Sequence, residues 1–212
     1  MEMENQEEVW DNIGRDWRVM RTTPVKEAID FLKAKKGNVL DLACGSGRNF
    51  CRINGTIYAV DFSKKMLEYS EKYAKEANIK IKTKKASADN LPFEDNFFDA
   101  AIFIAGLHCI ESDDKRKKSL MELHRVLKSG AEALITVWDK NQPKFRKLKQ
   151  KEIKLAWNVD GKKFMRYYYL YDKEELMFLL KEVGFRILKI IDKENSDGFY
   201  SKRNIIFIVR KI

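Results

Sequence analysis

Short apolar runs alternate with amphipathic segments along most of the chain. Nearly continuous apolar runs lie at 39–43, 56–60, 98–106 and 133–138. Runs of this kind are typical of parallel strands that are buried on both faces. Several segments between them repeat their apolar residues every three or four positions, which predicts helices. Strands that alternate with helices in this way predict an α/β fold.

Further elements complete this prediction. Residues 79–83 alternate apolar and polar side chains and are predicted as a third strand, and 185–191 and 205–209 as the last two strands. The turn-rich connection 195–198 favours a hairpin between those two. The sequence therefore predicts a three-layer α/β sandwich whose seven-stranded sheet is mostly parallel with an antiparallel last strand, and ligands bind such sheets at the carboxyl ends of the strands. Helices are predicted at 5–21, 25–35, 63–77, 112–127 and 172–183.

The stretch 38–61 predicts a strand, a glycine turn, a short helix and a second strand. Glycines after a strand let the backbone approach a ligand, and an acid about 20 residues further on, here Asp61, can accept both ribose hydroxyls. A dinucleotide fingerprint needs a third glycine where this chain has Phe50, and Asp41 would repel a phosphate but could organise an ammonium group through water. The pattern favours S-adenosylmethionine over a nicotinamide or flavin cofactor. A glycine turn that binds nothing is the other alternative.

Length and composition bear on the number of domains, on membrane contact and on the role of the cysteines. With 212 residues, 44% of them hydrophobic, the sequence predicts one domain, 1–212, with an N-terminal helical segment at 1–24 and a basic substrate-side insert at 140–170. We find no apolar stretch that could span a bilayer and no secretory leader, so we expect a cytoplasmic protein without membrane contact. The three cysteines have neither metal-ligand nor disulfide spacing, which predicts reduced thiols and no metal site.

The net charge of +10 bears on the partner. Basic residues collect at 80–85, 115–118, 140–154 and 162–166, as expected for a protein that binds a polyanion such as nucleic acid. A solvated, lysine-rich surface of the kind found in proteins from hot environments has the same composition. Charge alone leaves both interpretations open.

Four motifs resemble those of the class I S-adenosylmethionine-dependent methyltransferases, and the resemblance spans most of the chain. They are VLDLACGSG at 39–47, AVD at 59–61, ADNLPF at 88–93 and RVLKSG at 125–130. The resemblance implies S-adenosylmethionine as cofactor and S-adenosylhomocysteine as product. The residues that it assigns to the cofactor are Asp41, Ala43, Gly45, Gly47, Asp61, Phe62, Asp89, Asn90 and Ile104.

Within this set, the resemblance implies that Gly45 and Gly47 bind the methionine end of the cofactor and that Asp61 binds the ribose. It also implies that Phe62 forms a wall of the adenine pocket and that Asp89 binds the adenine amine. The alternatives are that Phe62 is an ordinary core aromatic and that Asp89 only forms a turn.

More narrowly, the chain resembles the tRNA methyltransferases that esterify 5-carboxymethyluridine at the wobble position. The matching stretches are VWD at 9–11 with Arg21, IAGLH at 104–108, TVW at 136–138 with Gln142, LAW at 155–157 and RYYYLY at 166–171. The chain departs from that family at three positions. It has Cys109 where a second histidine is usual, Ala156 where a proline is usual, and Ala131 where a second glycine is usual.

Methyl transfer from a sulfonium needs mainly alignment, because the methyl group is already activated. A carboxylate acceptor needs no general base, but it needs cationic or hydrogen-bonding groups that orient it. The candidates are His108, which follows an apolar strand, and Arg21, which can instead hold the cofactor's own carboxylate. Aromatic and guanidinium planes commonly hold displaced bases, although such residues are as often part of a packed face. The predicted substrate residues are Arg166, Tyr167, Trp138 and Trp157.

The resemblance implies two partners, a tRNA and a small zinc-binding activator subunit. We expect that subunit to extend the sheet along 78–85, which the methyltransferase topology places at an edge. The alternating lysines of this segment are also a usual protection of an edge in a monomer. Two rival functions are a methyltransferase for a small molecule and a non-catalytic RNA-binding protein that has kept the fold.

Overall fold

The structure is a computed structural model that describes residues 5–196 and 198–212. The predicted segment 1–24 and the turn 195–198 therefore lie partly outside the described residues. The helices are α1 (Gln6–Met20), α2 (Lys26–Lys33), α3 (Lys64–Glu76), α4 (Asp113–Val126) and α5 (Lys173–Glu182). The strands are β1 (Lys36–Leu42), β2 (Asn54–Asp61), β3 (Ile81–Lys85), β4 (Phe98–Ile104), β5 (Leu127–Trp138), β6 (Glu152–Val159), β7 (Lys162–Tyr169), β8 (Phe185–Ile191) and β9 (Asn204–Lys211).

Seven of these strands form one sheet in the order β3-β2-β1-β4-β5-β9-β8. Neighbours from β3 to β5 run parallel, whereas β9 runs antiparallel to both β5 and β8. The strand β4 takes the centre because apolar side chains cover both of its faces. Residues of α4 and α5 share one apolar cluster with the sheet, and α2 and α3 contribute to clusters of their own. The predicted fold is confirmed, including the antiparallel strand and the edge position of the third strand.

The short helix predicted at the glycine turn is wrong. Residues 43–53, between β1 and β2, form successive turns without a helix. Ala43, Gly45 and Gly47 have φ values of +56°, +54° and +83°, which an α-helix does not allow. The Phe50 N–H donates to the Gly47 carbonyl at 2.9 Å, and a Cβ atom on Gly47 would lie only 2.6 Å from the Phe50 ring. The turn is therefore too tight for any other residue than glycine at that position.

The basic insert contains an element that is absent from the prediction. Strands β6 and β7 form a separate antiparallel pair. Asp160 and Gly161 connect them with φ values of +47° and +78°, the conformation of a two-residue hairpin turn. An Asp-Gly pair between alternating apolar and polar residues was the available signal. We call β6, its turn and β7 the hairpin.

Helix α1 lies against α3 and the hairpin. Val9, Trp10 and Ile13 are buried, as its helical spacing predicts. Met20, at the end of the helix, is 68% exposed, because the apolar face is covered only as far as Trp17, which contacts the hairpin. Among the described residues, no helix combines the length and the apolar composition that crossing a bilayer requires.

Candidate active site

A cavity of about 680 Å³ opens at the carboxyl ends of the central strands. Its walls come from α1 and from the turns that follow β1, β2, β3 and β4. The volume and the position are those of a cofactor site in an open α/β sheet. Five of the residues predicted for the cofactor line it: Ala43, Gly45, Asp61, Phe62 and Ile104.

The turn after β1 and the end of β2 meet at one wall of the cavity. Asp61 is buried there and accepts hydrogen bonds from the backbone N–H groups of Gly45 and Ser63, each at 2.9 Å. Burial raises the pKa of Asp61 to about 6, although these hydrogen bonds oppose the shift. A carboxylate has about four acceptor sites, so two remain for hydroxyl groups of a ribose. Gly47 lies behind this wall against Phe50 and supports the turn.

Helix α1 closes another side of the cavity. Trp10 and Trp17 line it and pack edge to face, with ring centroids 4.9 Å apart. The Asp11 carboxylate accepts hydrogen bonds from the Ser63 hydroxyl and the Lys65 backbone N–H at the start of α3. These contacts fix α1 beside the residues that follow Asp61. The helix thus forms part of the wall of the cofactor pocket.

Asp41 lies beside the glycine turn and is 1% exposed. Neither of its carboxylate oxygens has a hydrogen-bond partner among the described residues. Burial, and then the charge of Asp61, raise the pKa of Asp41 well above its usual range, whereas Arg48 opposes the shift. Leaving a buried carboxylate without a partner costs free energy. Asp41 is not part of the cavity lining, so its predicted action on the ammonium of methionine through water stays a prediction.

The adenine side differs from the prediction. The turn after β3 lines the cavity with Ser87 and Ala88, whereas Asp89 and Asn90 are not part of the lining. The Ser87 hydroxyl donates to the Asp89 carboxylate, and the Asn90 N–H donates to the Ser87 carbonyl. This local turn holds both side chains away from the cavity, which is the alternative that the sequence left open for Asp89.

His108 lies in a short 3₁₀ helix, Leu107–Cys109, after β4 and is 1% exposed. Its Nδ1 accepts a hydrogen bond from the Trp138 backbone N–H at 3.1 Å, so the proton of the neutral ring is assigned to Nε2. Burial lowers the pKa of His108 to about 3. A neutral His108 can donate a hydrogen bond from Nε2 and carries no positive charge, and its role toward the acceptor stays a prediction. Arg21, the other candidate, is exposed and lies over the Trp17 ring at 4.9 Å.

Two of the predicted substrate residues, Arg166 and Tyr167, lie on opposite faces of β7. Arg166 and Tyr168 share one face, whereas Tyr167 points toward α4, where its hydroxyl accepts a hydrogen bond from Arg116 at 2.9 Å. Tyr167 is therefore a structural residue and not a substrate contact, because strand alternation turns it to the opposite face. Trp138 stacks on Tyr168, with ring centroids 4.2 Å apart, and does not line the cavity.

Arg166 has an unusual environment for a cation, since it is only 6% exposed. Its guanidinium lies 4.7 Å from the Trp157 ring centroid and 5.4 Å from that of Trp17, and Nη1 donates to the Tyr168 hydroxyl at 2.8 Å. Within the described residues, Nε has no partner and no carboxylate forms an ion pair with Arg166. Cys109 lines the cavity, and burial raises the pKa of its thiol to about 12. The positive charge of Arg166 opposes this shift, so the charge of Arg166 acts at the cavity wall.

Several polar lining residues do not follow from the sequence patterns, among them Arg48, Ser87 and Glu111. The available signal for Arg48 was its place directly after the glycine turn. Glu111 precedes Ser112, whose φ of +71° lies outside the common range for serine, and no pattern in the sequence predicts that conformation.

The comparisons with known proteins agree with the geometry. Residues 40–135 match the family described as "Methyltransferase domain". The fold is similar to that of an S-adenosylmethionine-dependent methyltransferase from Methanosarcina mazei, with a TM-score of 0.71, 20% identity, and coverage of 89% of this chain and 99% of that chain. The chain therefore carries a match to a methyltransferase domain and has the fold of the class I S-adenosylmethionine-dependent methyltransferases. This confirms both the predicted class and S-adenosylmethionine as its cofactor.

Two curated relatives differ in their acceptors. The chain is 37% identical to a 2-phytyl-1,4-naphtoquinone methyltransferase from Nostoc punctiforme, over 66% of this chain and 62% of the relative. It is 32% identical to a tRNA (carboxymethyluridine(34)-5-O)-methyltransferase from Xenopus tropicalis, over 76% of this chain and 25% of the relative. The chain thus spans less than two thirds of the length of either relative.

The pKa of Asp61 leads to a prediction about pH. Only the ionised carboxylate can accept hydrogen bonds on both oxygens, so we expect the affinity for S-adenosylhomocysteine to fall as the pH decreases through about 6. The measurement is calorimetric titration between pH 8 and pH 5. Asp61→Asn should show a shallower dependence on pH. An affinity of the wild type that stays constant down to pH 5 would contradict the prediction.

Proposed function

We propose that the chain transfers a methyl group from S-adenosylmethionine to the carboxylate of a carboxymethylated wobble uridine in tRNA. The observation that carries this proposal is the buried guanidinium of Arg166, which has no carboxylate partner among the described residues. An unpaired buried charge is costly, and structures usually provide it with an opposite charge. An acceptor with its own carboxylate supplies that charge through charge-assisted hydrogen bonds.

The surroundings of Arg166 also suit a nucleobase. Trp17 and Trp157 approach each other at the guanidinium, with ring centroids 5.6 Å apart. Bases that leave a stack are held on aromatic rings and guanidinium planes. Because Trp17 also lines the cofactor cavity, a base held by Trp17, Trp157 and Arg166 lies next to the source of the methyl group.

When bound, S-adenosylmethionine supplies a methyl group that a carboxylate oxygen can take up directly, which leaves S-adenosylhomocysteine. Asp61, Asp41 and the glycine turn would hold the cofactor. Arg166 would bind and orient the acceptor. A carboxylate has no proton to lose, so the neutral, buried His108 is compatible with this role as a hydrogen-bond donor and no base is required.

The insert that carries Arg166 also offers a surface for a polyanion. Seven cations of this segment have exposed side chains and take part in no ion pair of the described chain. They are Lys144, Arg146, Lys147, Lys149, Lys154, Lys162 and Lys163. Phosphate contacts by such side chains should make RNA binding fall steeply with salt concentration.

A small-molecule methyltransferase is the second candidate, because the identity to the naphtoquinone enzyme reaches 37%. An acceptor without a negative charge would leave Arg166 without its counter-charge. The two functions are separated by offering bulk tRNA and a prenylated naphthoquinol together with methyl-labelled cofactor. We expect the label in tRNA, and less of it at high salt. Label in the quinol alone would exclude the proposal.

We also propose the activator subunit as a partner at β3. The strand lies at the edge of the sheet, with Ile81 and Thr83 half-buried and with Lys82 and Lys84 exposed. A strand added there would satisfy the outward backbone groups and leave the cofactor cavity open.

Hydrogen exchange tests this partner. Addition of a candidate zinc-binding subunit should protect the amides of 78–85 and raise activity, because strand addition occupies their backbone groups. The amides of 185–191, at the opposite edge, serve as the control and should not change. Full activity without the subunit, together with unprotected amides at 78–85, would contradict the proposal.

A further inference from the structure

Gln6, the first residue of α1, lies between the cofactor cavity and the hairpin. It lines the cavity, and its side chain is half-buried. Its Nε2 donates a hydrogen bond to the Met165 carbonyl at 3.1 Å, and its Oε1 accepts one from the Tyr167 N–H at 3.0 Å. Both partners are backbone groups of β7, one on each side of Arg166. We call this pair of hydrogen bonds the Gln6 clamp.

The Gln6 clamp takes the place of a neighbouring strand. Within the described residues, β7 has such a strand on one edge only, which is β6. The Met165 carbonyl and the Tyr167 N–H face the other edge, where backbone groups also need partners. A side-chain amide carries a donor and an acceptor and so satisfies both groups. A carboxylate has no donor for the carbonyl, and a hydrocarbon side chain has neither group.

The hairpin depends on such contacts for its position. It is a sheet of two strands, and a pair of that size is marginally stable by itself. A second contact acts on the same part of β7, because Arg116 donates to the Tyr167 hydroxyl at 2.9 Å and to the carbonyl of the lining residue Ile110 at 2.8 Å. Gln6 thus holds the backbone of β7 and Arg116 holds the Tyr167 side chain. Because side chains alternate along a strand, these two contacts fix the direction of Arg166.

We propose that Gln6 is a positioning residue that sets where Arg166 presents its guanidinium to the acceptor and couples this position to cofactor binding. The coupling follows from the place of Gln6, since a cofactor that fills the cavity restrains the side chain that holds β7. By linkage, the cofactor stabilises the Gln6 clamp as much as the clamp stabilises the bound cofactor. The orienting role rests on the proposed function, whereas the coupling does not depend on the acceptor.

Hydrogen exchange of the Tyr167 amide tests the coupling without any acceptor. The exchange is followed residue by residue by NMR, with and without saturating S-adenosylhomocysteine. In the wild type, we expect S-adenosylhomocysteine to slow the exchange about 5- to 10-fold, because this N–H is protected while the Gln6 clamp is closed. Gln6→Met should speed up the exchange by a similar factor and remove the effect of S-adenosylhomocysteine.

Two controls separate this result from a general loss of stability. Asn12→Met should not affect the Tyr167 amide, because the Asn12 side chain is exposed and donates to the Glu8 carbonyl of its own helix. The Val39 amide of β1 should exchange equally fast in the wild type and in Gln6→Met. If Gln6→Met does not fold, Gln6→Ala provides the same comparison. An unchanged Tyr167 amide in a folded variant, or equal acceleration of the Tyr167 and Val39 amides, would overturn the coupling.

A double-mutant cycle with Arg166 tests the orienting role. With RNA that contains carboxymethyluridine, Gln6→Met should raise the KM about 10-fold in the wild type and by less than about twofold in Arg166→Met, because Gln6 acts through Arg166. Additive losses in folded variants would overturn this role. If the wild type methylates no carboxylate, or if Arg166→Met leaves the KM unchanged, the proposed function fails and the orienting role fails with it. Hydrogen exchange alone still decides the coupling.

Discussion

Arg166→Met should raise the KM for RNA that contains carboxymethyluridine by about 10- to 100-fold, since a charge-assisted hydrogen bond contributes about 1.5–3 kcal/mol. We expect a smaller change in kcat. The acceptor loses its negative charge as the ester forms, so a cation stabilises the bound substrate at least as much as the transition state. Steady-state kinetics with methyl-labelled cofactor measure both parameters.

A neutral acceptor analogue sharpens this test. RNA with carbamoylmethyluridine, in which an amide replaces the carboxylate, should inhibit the wild type only weakly. The Arg166→Met substitution should not weaken this inhibition further. Arg186→Met removes an exposed arginine of β8 and serves as the control with unchanged kinetics. If the wild type bound the acid and the amide equally well, Arg166 would have no role in recognising a carboxylate.

Asp61→Ala should weaken the binding of S-adenosylhomocysteine by about 100-fold, because two ribose hydroxyls lose a shared, charged acceptor. The change also leaves the Gly45 and Ser63 N–H groups without their acceptor, which disturbs the wall of the cavity. Calorimetry gives the affinity, and thermal unfolding shows whether the variant is folded.

Two comparisons make the Asp61 result specific. Asp61→Asn keeps one acceptor oxygen and should bind with intermediate affinity. Asp30→Asn, at an exposed ion pair on α2, should bind like the wild type. An affinity that does not change in folded Asp61→Ala would remove Asp61 from the ribose site.

The main sheet could be predicted because its strands are long apolar runs in a chain of alternating elements. The apolar run of β4 predicts a strand that is buried on both faces. The helices predicted from 63 and 112 begin there because Ser63 and Ser112 act as N-caps. Likewise, Asp61 could be placed because it ends a strand that neighbours the glycine turn in a parallel sheet.

The errors concern the direction of side chains. Tyr167 and Tyr168 are adjacent in sequence, and in a strand only Tyr168 shares a face with Arg166. Tyr167 was misassigned because 162–169 was not predicted as a strand. The local turn at Ser87 moves Asp89 aside. The burial that keeps His108 neutral comes from Trp138 and Tyr168, which no local pattern joins to it.

The most direct test of the central claim is mass spectrometry of nucleosides from tRNA that carries carboxymethyluridine, after incubation with the protein and methyl-labelled S-adenosylmethionine. We predict one labelled methyl group on the wobble nucleoside, bound as an ester that mild alkali releases. If the protein binds the cofactor but the tRNA gains no label, even with the activator subunit present, or if the label resists alkali, a carboxylate of the wobble uridine is not the acceptor.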